Sequence, residues 1–203
     1  MGFSQKERQL YSGRLKLTYA RQRVHEATDF LSTYGRTDGE LSANRMDGST
    51  KTDFDLSKRG YFYFLGGAGY DEIRKVDWRY ELGPGFGFRL STRSNLTFRV
   101  EGGMQYQVQR FQDDREDRLY SQRLAEDLRW NLGKLFTFDE KVEYLPGVDS
   151  FGEYKLRAEV NLRYWLRSNL ALTLTLIDSY DTVTANGVGQ NDLQIRSTLG
   201  VKF

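Results

Sequence analysis

Hydrophobic and polar residues alternate with period 2 along most of the chain, the spacing of a strand with one apolar and one polar face. Over 94–111 the even positions include Leu96, Phe98, Val100, Met104, Tyr106 and Val108, against Arg99, Glu101, Gln105, Gln107 and Gln109 on the odd ones. Over 75–90, Val76, Trp78, Tyr80, Leu82, Phe86, Phe88 and Leu90 oppose Asp77, Arg79, Glu81, Gly83, Gly85, Gly87 and Arg89. The same pattern covers 154–166, 169–177 and the C-terminal stretch ending at Phe203. Weaker strands are expected over roughly 9–22, 27–37, 50–57, 59–69, 117–132 and 135–145. No helical period competes, and no run of 18 apolar residues offers a membrane helix.

The pattern predicts about eleven strands of the ~9–11 residues that a tilted transmembrane strand needs. Connections near 24–26, 57–59, 91–95, 133 and 167–169 read as short. Those at 38–49, 69–74, 111–118, 146–151 and 183–191 read as mostly longer and more polar. The two kinds alternate strictly, as in barrels with short periplasmic turns and longer outer loops. With a periplasmic C-terminus, the first of eleven strands runs from outside to inside. The expected parent is therefore a twelve-strand barrel, its first strand missing from this sequence or lying within the first ten residues. The opening Met1-Gly2-Phe3-Ser4-Gln5-Lys6 is not a signal peptide, so the chain reads as mature or truncated.

Composition changes the picture in one respect. Of 203 residues, 38% are hydrophobic and 29% charged, which alone suggests a soluble protein. Yet 14% are aromatic, glycine is frequent at 20, proline nearly absent at 2, and Arg far outnumbers Lys. Paired, partly desolvated charges favour guanidinium. The formal net charge of +2 gives no basic footprint for nucleic acid, and the absence of Cys rules out disulfides and thiolate metal sites.

Alternation alone fits either a soluble barrel with its apolar face inward or a membrane barrel with that face outward. The polar face decides for the second. It mixes charge of both signs with Gly83, Gly85, Gly87 and Gly103. A solvated exterior has little use for glycine in strands, whereas a crowded interior uses it to make room for facing Arg side chains. Aromatics such as Trp78, Phe88, Tyr106, Phe136, Phe138, Tyr164 and Phe203 fall near strand ends, as interface girdles require. The fold class is all-β, an antiparallel up-and-down transmembrane barrel forming one domain, with outer-membrane lipid as its surroundings.

Three stretches resemble one family: Asp55-Leu56-Ser57-Lys58-Arg59-Gly60-Tyr61-Phe62-Tyr63, Arg79-Tyr80-Glu81-Leu82-Gly83-Pro84-Gly85-Phe86-Gly87-Phe88, and Asn191-Asp192-Leu193 with Leu199-Gly200-Val201-Lys202-Phe203. In this order they resemble the YdiY-like family of salt-induced outer membrane proteins, a domain of unknown function. The similarity runs from about residue 10 to the end and implies a place in the bacterial outer membrane but no substrate. The family's usual opening strand is not visible. Phe203 resembles the terminal assembly signal read by the barrel-insertion machinery, although Val201 stands where a second aromatic is usual.

Little in the chain points to chemistry. His25, the only histidine, falls in an expected short turn and reads as solvated. Glu81 and Glu101 are expected to be neighbours on adjacent strands, but each has an Arg two residues away on the same face, a poor setting for a general acid. Asp113, Asp114, Glu116 and Asp117 could hold a divalent cation, but Arg115 and Arg118 among them oppose it. Gly66-Gly67-Ala68-Gly69 lacks the Lys and helix of a phosphate loop. No enzyme activity, metal or cofactor is expected. The functional candidates are instead inward-pointing: Arg79, Glu81, Arg99, Glu101, Arg123, Asp127, Arg129, Arg157, Glu159, Arg163 and Arg196. They are expected either to fill the interior as salt bridges, giving a structural or envelope-stress barrel, or to line a small diffusion channel. Interleaved signs favour the filled interior and argue against selectivity for either charge.

Overall fold

A computed structural model describes residues 7–150, 152–184 and 187–201. Phe203, the expected assembly signal, lies outside them. The strands are β1 (Arg8–Arg21), β2 (Val24–Thr37), β3 (Glu40–Asp55), β4 (Gly60–Asp71), β5 (Val76–Thr92) and β6 (Leu96–Phe111). They continue as β7 (Glu116–Leu132), β8 (Phe136–Pro146), β9 (Tyr154–Arg167), β10 (Leu170–Asp181) and β11 (Asn191–Val201). All eleven form one sheet in chain order, each antiparallel to the next. This is the simplest up-and-down topology, and the sheet curls on itself.

Period 2 and the pairing register together assign every side chain to a face. On the convex face, apolar side chains stand exposed: Leu15 and Leu17 on β1, Phe86 and Phe88 on β5, Leu172, Leu174 and Leu176 on β10, and Leu193, Ile195 and Leu199 on β11. The concave face is the polar one, and its few buried apolar side chains do not make a core. Tyr61, Tyr63 and Leu65 form one small cluster, and Val76 with Phe111 another. A soluble sheet would bury its large apolar face; this one turns that face outward.

Two local features differ from the sequence expectation. The stretch 38–49 was expected to be a loop, but β3 begins at Glu40, and the turn is the two residues Asp38-Gly39. Both have positive φ, 54° and 83°, the geometry that matches a hairpin's right-handed twist and that Gly adopts without strain. His25 is not in a turn. β2 starts at Val24, and the His25 Nε2 lies 3.0 Å from the Asp55 Oδ2 at the end of β3.

A candidate functional site: the charged concave face

The register carries all eleven predicted residues onto the concave face. Arg79 and Glu81 stand on β5, opposite Gln109 and Gln107 of β6. Arg99 faces Asp127, Gly103 faces Arg123, and Thr97 faces Arg129 across β6 and β7. Arg157, Glu159 and Arg163 lie on β9 opposite Glu143, Lys141 and Thr137. Arg196 lies on β11 opposite Thr175.

Side chains from β4, β6 and β8 converge on Arg123 of β7. Its Nε donates to the Glu143 Oε1 at 2.5 Å, and its Nη1 donates to the Glu101 Oε2 at 2.8 Å and to the Tyr63 hydroxyl at 2.9 Å. The guanidinium also sits 5.2 Å from the centre of the Tyr63 ring. Glu101 is held from its other side by the Lys51 ammonium and by the Tyr61 hydroxyl at 2.6 Å. Lys51 reaches on to Asp53 at 2.8 Å. These bonds join β3 to β6, β4 to β6 and β4 to β7, skipping strands, which only a concave surface allows. The side chains of Arg123 and Glu101 are 4% and 6% exposed. Guanidinium suits such a hub because its planar fork gives several donors to two carboxylates at once.

The glycines expected to make room for arginine make room for tyrosine. Tyr61 pairs with Gly87 and Tyr63 with Gly85. A Cβ on Gly87 would fall within the Tyr61 ring, and one on Gly85 within the Tyr63 ring. At Gly103 a Cβ would lie 2.5 Å from the Pro84 carbonyl and 2.6 Å from the Tyr63 hydroxyl. Both rings lie flat across a trough of bare backbone, fully buried, and hold up Glu101 and Arg123.

The other predicted residues form separate, more open pairs. Arg99 donates to Asp127 at 2.9 Å and Arg129 to Asp139 at 2.5 Å. Arg79 pairs with Asp47, which Arg45 also holds. Glu81 accepts from the Gln105 amide at 2.9 Å and lies far along the sheet from Glu101, since their partners are Gln107 and Gly87. They are not the neighbours that the sequence suggested. Toward the sheet's far side Lys155 and Asp181 make a buried pair at 3.0 Å, but the predicted residues there are held more loosely. Arg157 lies 4.0 Å from Glu143 and is 38% exposed. Glu159 accepts from Asn161, Arg163 bonds the Thr173 hydroxyl at 3.4 Å, and Arg196 bonds the Gln194 amide. Around the turn between β6 and β7, Arg110 pairs with Asp114 and Arg118 with Glu116, and no group of three or more metal-ligating side chains occurs among the described residues.

One end of the concave space is crossed from above. Val188, in the connection from β10 to β11, packs on Val76 of β5 and Phe111 of β6. In the same connection the Thr184 carbonyl accepts from Arg115 at 3.0 Å. The connection thus reaches from one side of the curled sheet to the opposite side.

No curated protein matches the chain. Among solved structures, the NanC porin, determined in a rhombohedral crystal form, superposes with a TM-score of 0.60 at 11% identity, covering 98% of this chain and 97% of that one. The likeness is one of fold, a porin-like β-barrel. The family model described as a protein of unknown function, DUF481, matches residues 4–203, and the chain belongs to that family.

Proposed function

We propose that this protein is a bacterial outer-membrane β-barrel whose interior is filled by a fixed ion-pair network, a structural barrel of the envelope and not an enzyme. The observation that carries the reading is the Arg123 hub: a side chain 4% exposed, its guanidinium shared by two carboxylates and seated on the buried Tyr63 ring. Lipid is the surrounding that fits the convex face, where large apolar side chains stand exposed on all eleven strands. The crossing connection at Val188 covers the mouth nearest Val76 and Phe111. The carboxylates of Asp47, Glu101, Asp127, Asp139 and Glu143 serve guanidinium or ammonium groups. During assembly the partner is the barrel-insertion machinery, with Phe203 as its signal. Purified protein inserted into planar bilayers tests the reading. It gives no unitary current in molar KCl; steady ohmic steps from single insertions would overturn it.

A second reading, a small diffusion channel, is favoured by the looser side of the interior. There Arg157 is only partly covered, and Arg163 and Arg196 bond only neutral partners among the described residues. The likeness in fold to a porin is compatible with it.

A further inference from the structure

The two ends of the sheet differ in charge. At one end lie the turns 22–23, 56–59, 93–95, 133–135 and 168–169. Arg23, Lys58, Arg59, Arg93 and Lys134 stand in them without any acid, and Arg21 and Arg167 flank them. All of these cations are exposed, and none forms an ion pair among the described residues. At the other end Asp38, Glu72, Asp113, Asp114, Asp149 and Glu153 outnumber Arg74, Lys75 and Arg115 in the connections. The concave face gives most of its cations a carboxylate; the turn end leaves a rim of one sign without one.

A groove of about 560 Å³ opens beside this rim, walled by Leu56, Phe86, Phe88, Val100 and Leu124. Its floor is bare because glycine falls on the apolar, convex phase of two strands. Gly60 pairs with Phe88, and Gly102 stands between Phe86 of β5 and Leu124 of β7. Nothing lies within 4 Å of the place a Cβ would take on Gly102. Tyrosine fills the room left by Gly85 and Gly87 on the concave face, whereas the room at Gly102 stays open. The turn 56–59 forms the groove's entrance, since Leu56 belongs to its wall. That turn is held in place: the Ser57 hydroxyl accepts from the Gly60 N–H at 2.8 Å, and the Arg59 carbonyl accepts from the Arg89 N–H of β5 at 3.0 Å. Arg93 caps the hairpin of β5 and β6 that carries Phe86, Phe88 and Val100.

We infer that the groove and the cations at its entrance hold one phospholipid with an anionic headgroup. An acyl chain lies between Phe86 and Leu124 over Gly102, and Lys58, Arg59 and Arg93 take the phosphate-bearing headgroup. The inference rests on the membrane reading above, which puts the convex face in hydrocarbon and these short turns at headgroup level. Guanidinium matches phosphate with paired donors, and each Lys or Arg at the surface of a membrane favours anionic over neutral lipid by about fivefold. Charge and groove thus select the same molecule from its two ends. Glu126 also stands on the convex face, opposite Val100; it lies farther along its strand than the turns, at the level of the chain and not of the headgroup.

Mass spectrometry of the intact protein, released from detergent micelles that hold equal amounts of phosphatidylglycerol and phosphatidylcholine with identical chains, tests the site. The expected result is one retained lipid, phosphatidylglycerol over phosphatidylcholine by at least about fivefold. Lys58→Gln, Arg59→Gln and Arg93→Gln together bring that ratio near one. Lys134→Gln with Arg167→Gln, which neutralises the same rim away from the groove, leaves the ratio unchanged. Gly102→Leu fills the groove without a clash, keeps the gel mobility of the folded protein and lowers retention of both lipids several-fold. Equal retention of the two lipids by the unsubstituted protein would overturn the inference. So would a ratio that falls as far in the Lys134 and Arg167 double variant, retention untouched by Gly102→Leu, or a dimer that Gly102→Leu dissolves, which would make a second copy the occupant. Release of the unsubstituted protein from bacterial membranes by high salt without detergent would instead overturn the membrane reading, whatever lipid the purified protein retains.

Discussion

Replacing Arg123 with Met removes the guanidinium while keeping a side chain of similar length. Glu101 retains Lys51 and the Tyr61 hydroxyl. Glu143 does not fare as well: no hydrogen-bonded cation is left to it, only Arg157 at 4.0 Å and Lys141 two residues away, and its side chain is only 14% exposed. The substitution leaves a buried carboxylate without adequate compensation, which costs about 3–5 kcal/mol. If the interior were a water-filled passage, solvent would screen the same charge and the loss would be about 0–1 kcal/mol, as for exposed pairs. The two readings of the interior thus differ by a measurable margin. Urea unfolding of the barrel in phospholipid vesicles, followed by tryptophan fluorescence and by the folded-to-unfolded shift on gels, gives the difference. The control is Glu143→Gln in the Arg123→Met background. Neutralising the stranded carboxylate recovers about 1–3 kcal/mol, although it lowers stability when Arg123 is present. A loss below about 1 kcal/mol for Arg123→Met, or a further loss on adding Glu143→Gln, would refute the argument.

Gly87→Ala places a methyl within the Tyr61 ring; displacing the ring breaks its bond to Glu101 and exposes it, lowering stability by about 3 kcal/mol in the same unfolding assay, and much less when Tyr61→Ala is already present. Val188→Asp detaches the crossing connection from Val76 and Phe111, so a Gln107→Cys probe on the concave face is labelled by a water-soluble maleimide at least several-fold faster than in the parent. Trp78 and Trp130 stand exposed on the convex face, whereas Trp165 lies beneath Arg163 opposite the buried Ala171. Brominated lipid therefore quenches single-tryptophan forms retaining Trp78 or Trp130 and spares the form retaining Trp165.

The strands were legible where one face is apolar and the other polar, as in β5, β6 and β9. β3 was half missed for a physical reason. From Glu40 to Ser49 both faces carry polar residues, Arg45 and Asp47 on one and Asn44 and Gly48 on the other, and the two large apolar side chains, Leu41 and Met46, are five residues apart and so out of phase. Alternation needs two unlike surroundings, and this half of the β2–β3 hairpin lacks the contrast. The inward set was legible because Arg and Glu two residues apart must share a face. Their partners were not, since Lys51 and Tyr63 reach Glu101 and Arg123 from three strands away, and register across several strands is not written in any one of them.

Tyr61 and Tyr63 were missed because β4 is aromatic on both phases: Tyr61 and Tyr63 point in, while Phe62 and Phe64 point out. Periodicity cannot rank two aromatic faces. The deciding signal lay on the neighbouring strand. Gly83, Gly85 and Gly87 repeat with period 2 on the polar phase of β5, and such a repeat removes three successive side chains from one face, at a cost in strand stability. The trough it leaves faces Tyr61, Tyr63 and Leu65 of β4, and the two large flat rings fill most of its depth. A glycine stripe facing an aromatic stripe therefore assigns the phase of both strands. It places the hydroxyl-bearing rings inward, where their O–H groups find Glu101 and Arg123, and leaves the phenylalanines for the apolar exterior. The same step explains why average composition misled. The chain's charge is interior and its apolar area exterior, and a mean over both faces erases the one quantity that separates a membrane barrel from a soluble one.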